Sequence, residues 1–529
     1  MTDWTAGYVA DIGYTYGYYT ELNPLRLQLT FAQEGLVFPE VGTACELGFG
    51  QGVSANMHAA ASTTQWHGTD FNPSQAGFAQ ELAAASGSGT KLYDEAFADF
   101  AARDDLPDFD FIGMHGIWSW ISDDNRTVIV DFIRRKLKVG GVLYISYNTM
   151  PGWAAFAPLR HLLTEHAEVL GAEGRDIVSR IDGAIDFAER LLATNPAFSR
   201  NIPMVAERLQ KMKEQNPRYL AHEYFNRDWH PMHFSIMAGW LKAAKLEFAC
   251  SAIPLDLIDV INLTAEQQAF LKEIPDPIFR ETARDFMVNQ QFRKDYWVKG
   301  ARKMSALEQA ESLRQIRVIL TTPKADVRLT VRAALGEADL NEAVYVPILE
   351  LMADHKVRTL GEMEGLLVTN VNFAQLTQAV TVLAGAGHLN VVQIDSSKAI
   401  ETTKALNAHL MQKARGSNDV GYMASPVTGG GYPVKRFHQL FLRSIHQGKK
   451  EPVEWAKDTW MILETQSQRL VKEGIRLETE QENLAELIAQ AESFAEKQLP
   501  ILKALQIACI EGEKKPHPLV RGGVGRFSP

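Results

Sequence analysis

Cysteine is scarce in this chain: there are three in 529 residues, Cys45, Cys250 and Cys509, far apart in sequence. No pair has zinc-ligand spacing, and three cannot build a disulfide framework, so a reducing, cytoplasmic setting is expected and no metal site. No run of about 18 apolar residues occurs, so no membrane insertion is expected. The opening MTDWTAGYVADIG lacks a basic stretch followed by an apolar core, so no signal peptide is read there. Basic charge is thin where it would matter for nucleic acid. Residues 1–150 hold 8 Lys+Arg against 18 Asp+Glu, the whole excess behind the net charge of −10. Phosphate backbones are bound mainly through Lys and Arg, whereas a cationic substrate suits an acidic surface. No internal repeat is present. At 46% apolar and 22% charged residues, disordered and collagen-like classes are excluded.

The length implies two to four domains. Residues 1–150 alternate short apolar strands (41–47, 66–70, 91–93, 109–114 and 142–147) with helical stretches (54–61, 74–85 and 125–137), the pattern of a doubly wound α/β sheet. Helices 157–170 and 177–194 fall in an insertion of about 155–220. A helix at 232–243 and a strand at 246–250 return to the sheet, which places the first domain at 1–254. Residues 255–325 form an α-rich segment with helices at 265–273 and 277–289. Residues 326–400 give three helices (341–354, 360–367 and 372–385) and a short strand at 388–394, a winged-helix-like order. Residues 401–529 form a helical C-terminal domain with a turn at 426–433. Within it, Gln466–Phe494 is either a helix that pairs with a second copy in a homodimer or a solvated helix of the monomer. Its end, from Glu511, is a polar Gly/Pro-rich tail.

The strongest motif is Cys45-Glu46-Leu47-Gly48-Phe49-Gly50-Gln51-Gly52, between a strand and a helix. Glycines permit a tight turn and close approach of a cofactor to the backbone. The spacing is Glu-x-Gly-x-Gly-x-Gly rather than the dinucleotide pattern. S-adenosylmethionine (SAM) carries no phosphate, and Glu46 suits its cationic methionine end. Asp70 closes the next strand, 20 residues after Gly50, where a carboxylate accepts both ribose hydroxyls; Phe71 follows it. The segment 95–100, with Ala96 and Phe97, offers an apolar slot for adenine. Ordinary packing is the alternative for any one of these residues.

In open α/β sheets ligands bind beyond the carboxyl ends of the strands. His115 ends the fourth strand and faces cofactor or substrate there, or is structural. Trp118 and Trp120 line a pocket through cation–π contact or belong to the core. Tyr147, Asn148 and Trp153 follow the fifth strand. His115 and Tyr147 are candidate general bases, and Tyr147 or Asn148 can hold an acceptor amine through its oxygen. His222, Glu223, His230 and His233 form a further group: a pocket lip, packed or solvated residues, or a metal site, the last disfavoured because the spacing is not His-Glu-x-x-His. Tyr16 and Tyr19 belong to a tyrosine-rich run, 14–19, that makes either a lid over the cofactor or a surface turn.

These residues resemble the class I SAM-dependent methyltransferases that carry a methyltransferase regulatory domain, a group that includes bacterial protein-lysine methyltransferases of outer-membrane proteins. The resemblance rests on the Tyr-rich stretch before Asn23-Pro24, the turn 46–52, Asp70-Phe71-Asn72-Pro73-Ser74-Gln75, His115-Gly116-Ile117-Trp118-Ser119-Trp120 and, most specifically, Tyr147-Asn148-Thr149-Met150-Pro151-Gly152-Trp153. It implies a Rossmann-like sheet. It also implies SAM held by Glu46, Gly48, Gly50 and Asp70, with Phe49, Gly52, Phe71 and His115 around it and Ala96 and Phe97 flanking adenine. The substrate pocket would use Tyr16, Tyr19, Trp118, Trp153 and His222. By resemblance Asp285-Phe286 and Phe292-Arg293 belong to the regulatory domain, and 424–429 to a C-terminal domain. Phe49 stands where many members have Cys, which marks a subfamily. The expected activity is methylation of an amine, a protein lysine before a sugar hydroxyl or small metabolite. Two other classes compete: a winged-helix DNA-binding regulator and a non-catalytic scaffold. Residues 326–395 hold 4 Lys+Arg against 9 Asp+Glu, and helix 372–385 has no Lys or Arg, which disfavours the regulator. The intact turn and Asp70 argue against the scaffold.

Overall fold

The computed structural model describes residues 15–171, 176–367 and 371–508. Tyr14, Cys509 and the expected tail from Glu511 lie outside them. A seven-stranded sheet organises the first 300 residues in the order β3-β2-β1-β4-β5-β7-β6. Its strands are β1 (Thr43–Leu47), β2 (Gln65–Asp70), β3 (Lys91–Asp94), β4 (Phe109–Met114), β5 (Leu137–Asn148), β6 (Leu246–Ser251) and β7 (Phe292–Lys299). Strands β1 to β5 pair in parallel; β7 runs antiparallel to both β5 and β6. The doubly wound α/β expectation therefore holds.

Five helices frame the sheet: α1 (Leu27–Gln33), α2 (Val53–Ala61), α3 (Pro73–Ser86), α4 (Phe97–Ala102) and α5 (Asp123–Lys136). Asn72 caps α3 by accepting the Ser74 and Gln75 N–H groups at 3.0 and 3.4 Å, with Pro73 at the first helical position. One face of the sheet packs Leu27, Phe31, Ala55, Ala59 and Ala76 against Ala44, Phe111 and Tyr144. The other packs Phe100, Phe132, Ile133 and Phe234 against Cys45, Ile112, Ile145 and Trp297. Between β5 and β6 the helical insertion builds its own core from Trp153, Phe156, Leu163, Ile181, Leu209 and Tyr224.

The sheet does not end at the boundary expected at 254. Strand β7 lies beyond it and sits between β5 and β6. Its sequence, FRKDYWVK, reads as polar, yet Arg293 and Asp295 are 5% and 1% exposed. Burial is possible because Arg293 donates to Asp295, Asp285 and Glu281 at 2.9, 2.5 and 3.1 Å.

Three helices, Glu342–Met352, Leu360–Leu367 and Phe373–Gly385, precede the strand Leu389–Val391, but the sheet of this unit opens earlier than expected. Arg317–Leu320 is the central strand, between Arg358–Thr359 and Leu389–Val391. The helix considered for DNA recognition, Phe373–Gly385, is turned inward. Leu376, Val380 and Leu383 are buried in the core of this unit, and Gln33 of α1 donates to Thr381 Oγ1 at 2.6 Å. Its exposed side chains are Ala374, Gln375 and Gln378. In the C-terminal unit, Gln466–Phe494 is not one helix. A hairpin, Val471–Lys472 with Ile475–Arg476, turns through Gly474 at φ +80°. The following helix, Glu480–Ser493, buries Leu487 and Ala491 within this chain's core.

The C-terminal unit also packs on α2, with Leu406, Leu410 and Ala424 against Val53, Met57 and Ala60. All nine residues of α2 are buried. Helix Ile400–Lys413 and hairpin 422–433 lie against it. Thr403 Oγ1 and Gln393 Nε2 donate to the Ala60 and Ala61 carbonyls at 2.9 and 2.8 Å, and Asn23 Nδ2 donates to the Thr428 carbonyl at 3.0 Å. This contact explains the composition of α2, VSANMHAAA, in which small residues admit a second layer.

Candidate functional site

Strand β1 delivers Glu46 to the middle of the sheet, where its neighbours in register are Gly68 of β2 and Gly113 of β4. The chain then turns through Gly48, Gly50 and Gly52, all at positive φ (70°, 57° and 64°). A side chain at Gly48 would put Cβ 2.5 Å from Ile117, and one at Gly52 would put it 2.4 Å from Ala79. Phe49 is buried over β2, so the substitution noted at this position is accommodated by packing.

Asp70 sits across from the turn. Its Oδ2 accepts the Gly50 N–H at 2.8 Å and its Oδ1 the Asn72 N–H at 3.0 Å. Burial pushes its carboxyl up to about 6. Glu46 is 2% exposed. Burial, then the neighbouring Asp70 charge, pushes it up to about 8. One of its oxygens, Oε2, is buried with no hydrogen-bond partner among the described residues. An orphaned, destabilised carboxylate at the mouth of a glycine turn fits an ammonium group. Asp94, the register partner of Asp70, ends β3. Thr69 Oγ1 then donates to the Glu95 carbonyl and holds the start of the segment that carries Ala96 and Phe97. Ala96 is exposed, Phe97 and Phe71 half-buried.

His115 follows β4 directly and lies under Tyr19, the rings stacked 3.7 Å apart. Its Nδ1 is 2.7 Å from the Tyr144 hydroxyl. Burial pushes the imidazole down to about 3, so it is neutral and a weak base. Glu21 pairs with Lys294 at 2.9 Å beside it. Asn148 ends β5; its backbone N–H donates to Ser119 Oγ at 2.8 Å, and its Nδ2 is buried without a partner among the described residues, as is Thr149 Oγ1.

Several expected residues are placed elsewhere. The Tyr147 hydroxyl donates to Asp295 at 2.9 Å in the buried Arg293 network, and burial raises its phenol well above the usual value; it cannot serve as a base. Trp118 is fully buried, its Nε1 donating to Met232 Sδ at 3.4 Å. Trp153 is 1% exposed in the insertion core, 5.0 Å from Trp229. Both indoles are buried by packing. Tyr16 turns to Phe78 at 5.0 Å, and Tyr18 to His58 and Tyr422 at 5.3 and 5.2 Å. Among the described tyrosines of the run, Tyr19 alone stacks on His115. His222 is 5% exposed on helix Pro217–Tyr224. Among the described residues, no group of three His, Cys, Asp or Glu is placed to hold a metal ion, and no helix is long and apolar enough to cross a membrane.

The turn, the acidic partner and the strand order invite comparison with known proteins. Residues 216–299 match the family described as a predicted methyltransferase regulatory domain. An uncharacterized Synechocystis protein, sll1526, is 39% identical over 513 residues, covering 96% of this chain and all of that one. The chain belongs to the sll1526 family, with a class I methyltransferase fold and a methyltransferase regulatory domain. An uncharacterized Rickettsia prowazekii protein, RP789, is 24% identical over 332 residues, covering 61% of this chain and 57% of that one. Among solved structures, PKMT2 from Rickettsia typhi in complex with AdoHcy superposes with a TM-score of 0.67 at 16% identity, covering 91% of this chain and 98% of that one. The fold is thus shared nearly end to end. The regulatory match, 216–299, includes β6 and β7, so in this chain it completes the sheet rather than following it.

Proposed function

We propose that the protein is a SAM-dependent methyltransferase acting in the cytoplasm on an amine of a protein substrate, most simply a lysine. The observation that carries this is the buried Glu46–Asp70 pair at the glycine turn. Glu46 offers its unpartnered oxygen to the methionine ammonium, Asp70 offers its carboxylate to the ribose hydroxyls, and Ala96 and Phe97 flank the base. SAM supplies an electrophilic methyl group on a sulfonium. The chain's part is to align the acceptor and keep water out, with Tyr19 and His115 closing the site beyond β4. Alignment of this kind supplies several kcal/mol of barrier lowering, up to about 7–11. The protein-substrate reading draws support from PKMT2, whose fold this chain shares, and from the acidity of residues 1–150. The test is incubation with methyl-labelled SAM and an extract of the source cells. Label in protein as methylamine supports the proposal. Label confined to polysaccharide or small molecules overturns the protein-amine part.

A further inference from the structure

Helix Pro277–Met287 carries its charges inward and its aromatic rings outward. The inward face holds Ile278, packed on the sheet core, and Glu281 and Asp285, both paired with Arg293. The outward face holds Phe279, Ala283 and Phe286, at i, i+4 and i+7. Phe279 and Phe286 are more than half exposed, and so is Phe270 of the preceding helix, Ala265–Lys272. The three rings line one open groove of about 420 Å³, with Thr282, Ala283 and Met287. A contiguous exposed apolar surface of this kind marks an interaction site.

The groove is fixed to the methyl-transfer site. Phe286 stacks on His233, the rings 5.7 Å apart and nearly parallel. His233 follows Met232, whose N–H donates to the Asn148 carbonyl at 2.9 Å and whose carbonyl accepts the Met150 N–H at 3.1 Å. Beyond the helix, the Gln290 and Gln291 carbonyls accept the Gly152 and Thr149 N–H groups at 2.8 and 2.9 Å. The approach is close enough that a Cβ at Gly152 would lie 2.5 Å from Gln291 Cα. Phe292 comes next; it pairs in register with Asn148, and its ring meets His115 at 6.2 Å. The groove therefore opens beside the turn that ends β5 and the stacked Tyr19–His115 pair.

Its rim is acidic. Glu266 and Glu273 flank Phe270 at helical spacing, and Asp276 caps the next helix by accepting the Phe279 N–H at 2.7 Å. All three carboxylates are exposed, and none makes an ion pair with a described residue. The neighbouring cations Lys272 and Arg280 instead line a separate polar cavity, with Glu34 and Asp259. Such a rim repels an anionic lipid surface, and in a two-fold contact with a second copy it would meet itself. It complements a segment that bears lysine.

We propose that this groove docks the polypeptide around the acceptor lysine, seating an apolar side chain of the substrate among Phe270, Phe279 and Phe286 while the carboxylates of the rim face its positive charge. The inference rests on the protein-amine reading of the same site and adds what the substrate must carry beside its lysine.

Two measurements test it. In full-length protein labelled with para-fluorophenylalanine, the fluorine resonances of Phe270, Phe279 and Phe286 are assigned by their loss in single Phe→Leu variants. The probes are Gly/Ser peptides with one central lysine and one leucine, moved stepwise along either side of it. Some leucine positions should shift the three resonances, less so as salt rises, and the leucine-free peptide should not. No shift with any peptide, or equal shifts without leucine, overturns the proposal. So do shifts that follow protein concentration, which assign the groove to a second copy, or shifts with phosphatidylcholine–phosphatidylglycerol vesicles, which assign it to lipid. In the labelled-SAM assay, the double variant Phe279→Ser, Phe286→Ser should keep AdoHcy affinity and transfer to Nα-acetyl-lysine amide. It should raise KM for the best leucine peptide about tenfold or more, with kcat unchanged. An unchanged KM, or equal losses on both acceptors, overturns the proposal. A wild-type protein that binds AdoHcy but methylates no amine sinks the parent reading instead, and the fluorine shifts still decide what the groove binds.

Discussion

Asp70→Ala separates binding from folding more cleanly than any other change at the site. The carboxylate accepts the Gly50 and Asn72 N–H groups at 2.8 and 3.0 Å and is the group placed to hold the ribose hydroxyls. Losing two charge-assisted hydrogen bonds to the ligand costs about 3–5 kcal/mol, or about 10²–10⁴ in Kd. Folding should feel far less. The folded carboxyl is pushed by burial up to about 6 from the usual 3.8, so the folded state binds more protons than the unfolded one. Stability is therefore lost as pH rises from about 4 to about 6 and is not regained above it. At about 1.4 kcal/mol per unit, removing the carboxylate relieves about 3 kcal/mol at pH 7, which offsets the two lost backbone bonds. Calorimetry with AdoHcy and a thermal melt measure both quantities. The expected result is collapsed affinity with a midpoint moved by only a few degrees. Affinity within threefold of wild type would refute the ribose assignment.

Further expectations concern charge and packing. Glu46 is raised to about 8 from 4.5, so pairing with the methionine ammonium should release a proton. Affinity for AdoHcy should rise between pH 6 and 8, then fall as the ligand's own amine, near pKa ~8, loses its charge; Glu46→Gln should flatten the rise. Arg293→Ala leaves Asp285, Asp295 and Glu281 facing one another and should cost about 3–5 kcal/mol by urea denaturation. The loss should shrink at low pH, where the carboxylates protonate. Gly431→Val puts Cβ 2.7 Å from Met57 Sδ and 2.8 Å from the Tyr18 ring. The overpacking should cost about 1–3 kcal/mol and speed hydrogen exchange in α2, whose outer face the C-terminal unit covers.

The turn 46–52, Asp70 and strands β2, β4 and β6 were readable because alternation and glycine spacing are local signals. Strand β7 was not. Its charges look like a surface segment, and only the three carboxylates around Arg293 make it a central strand. The tryptophans misled for a related reason. Residue type marks Trp118 and Trp153 as able to line a pocket, but which way a ring turns is fixed by Trp240, Met232 and Trp229, far away in sequence. The C-terminal cover on α2 left only an indirect trace, the run of small residues at 59–61.

The central claim is that this glycine turn and its two carboxylates serve methyl transfer to protein. Its most direct test is the stoichiometry of the reaction in an extract of the source cells. AdoHcy formed and methyl groups on lysine, counted by mass spectrometry, should rise together one for one with the wild-type protein and not at all with Asp70→Ala. Protein that binds neither SAM nor AdoHcy, or that makes AdoHcy with no methyl on any protein amine, would contradict it.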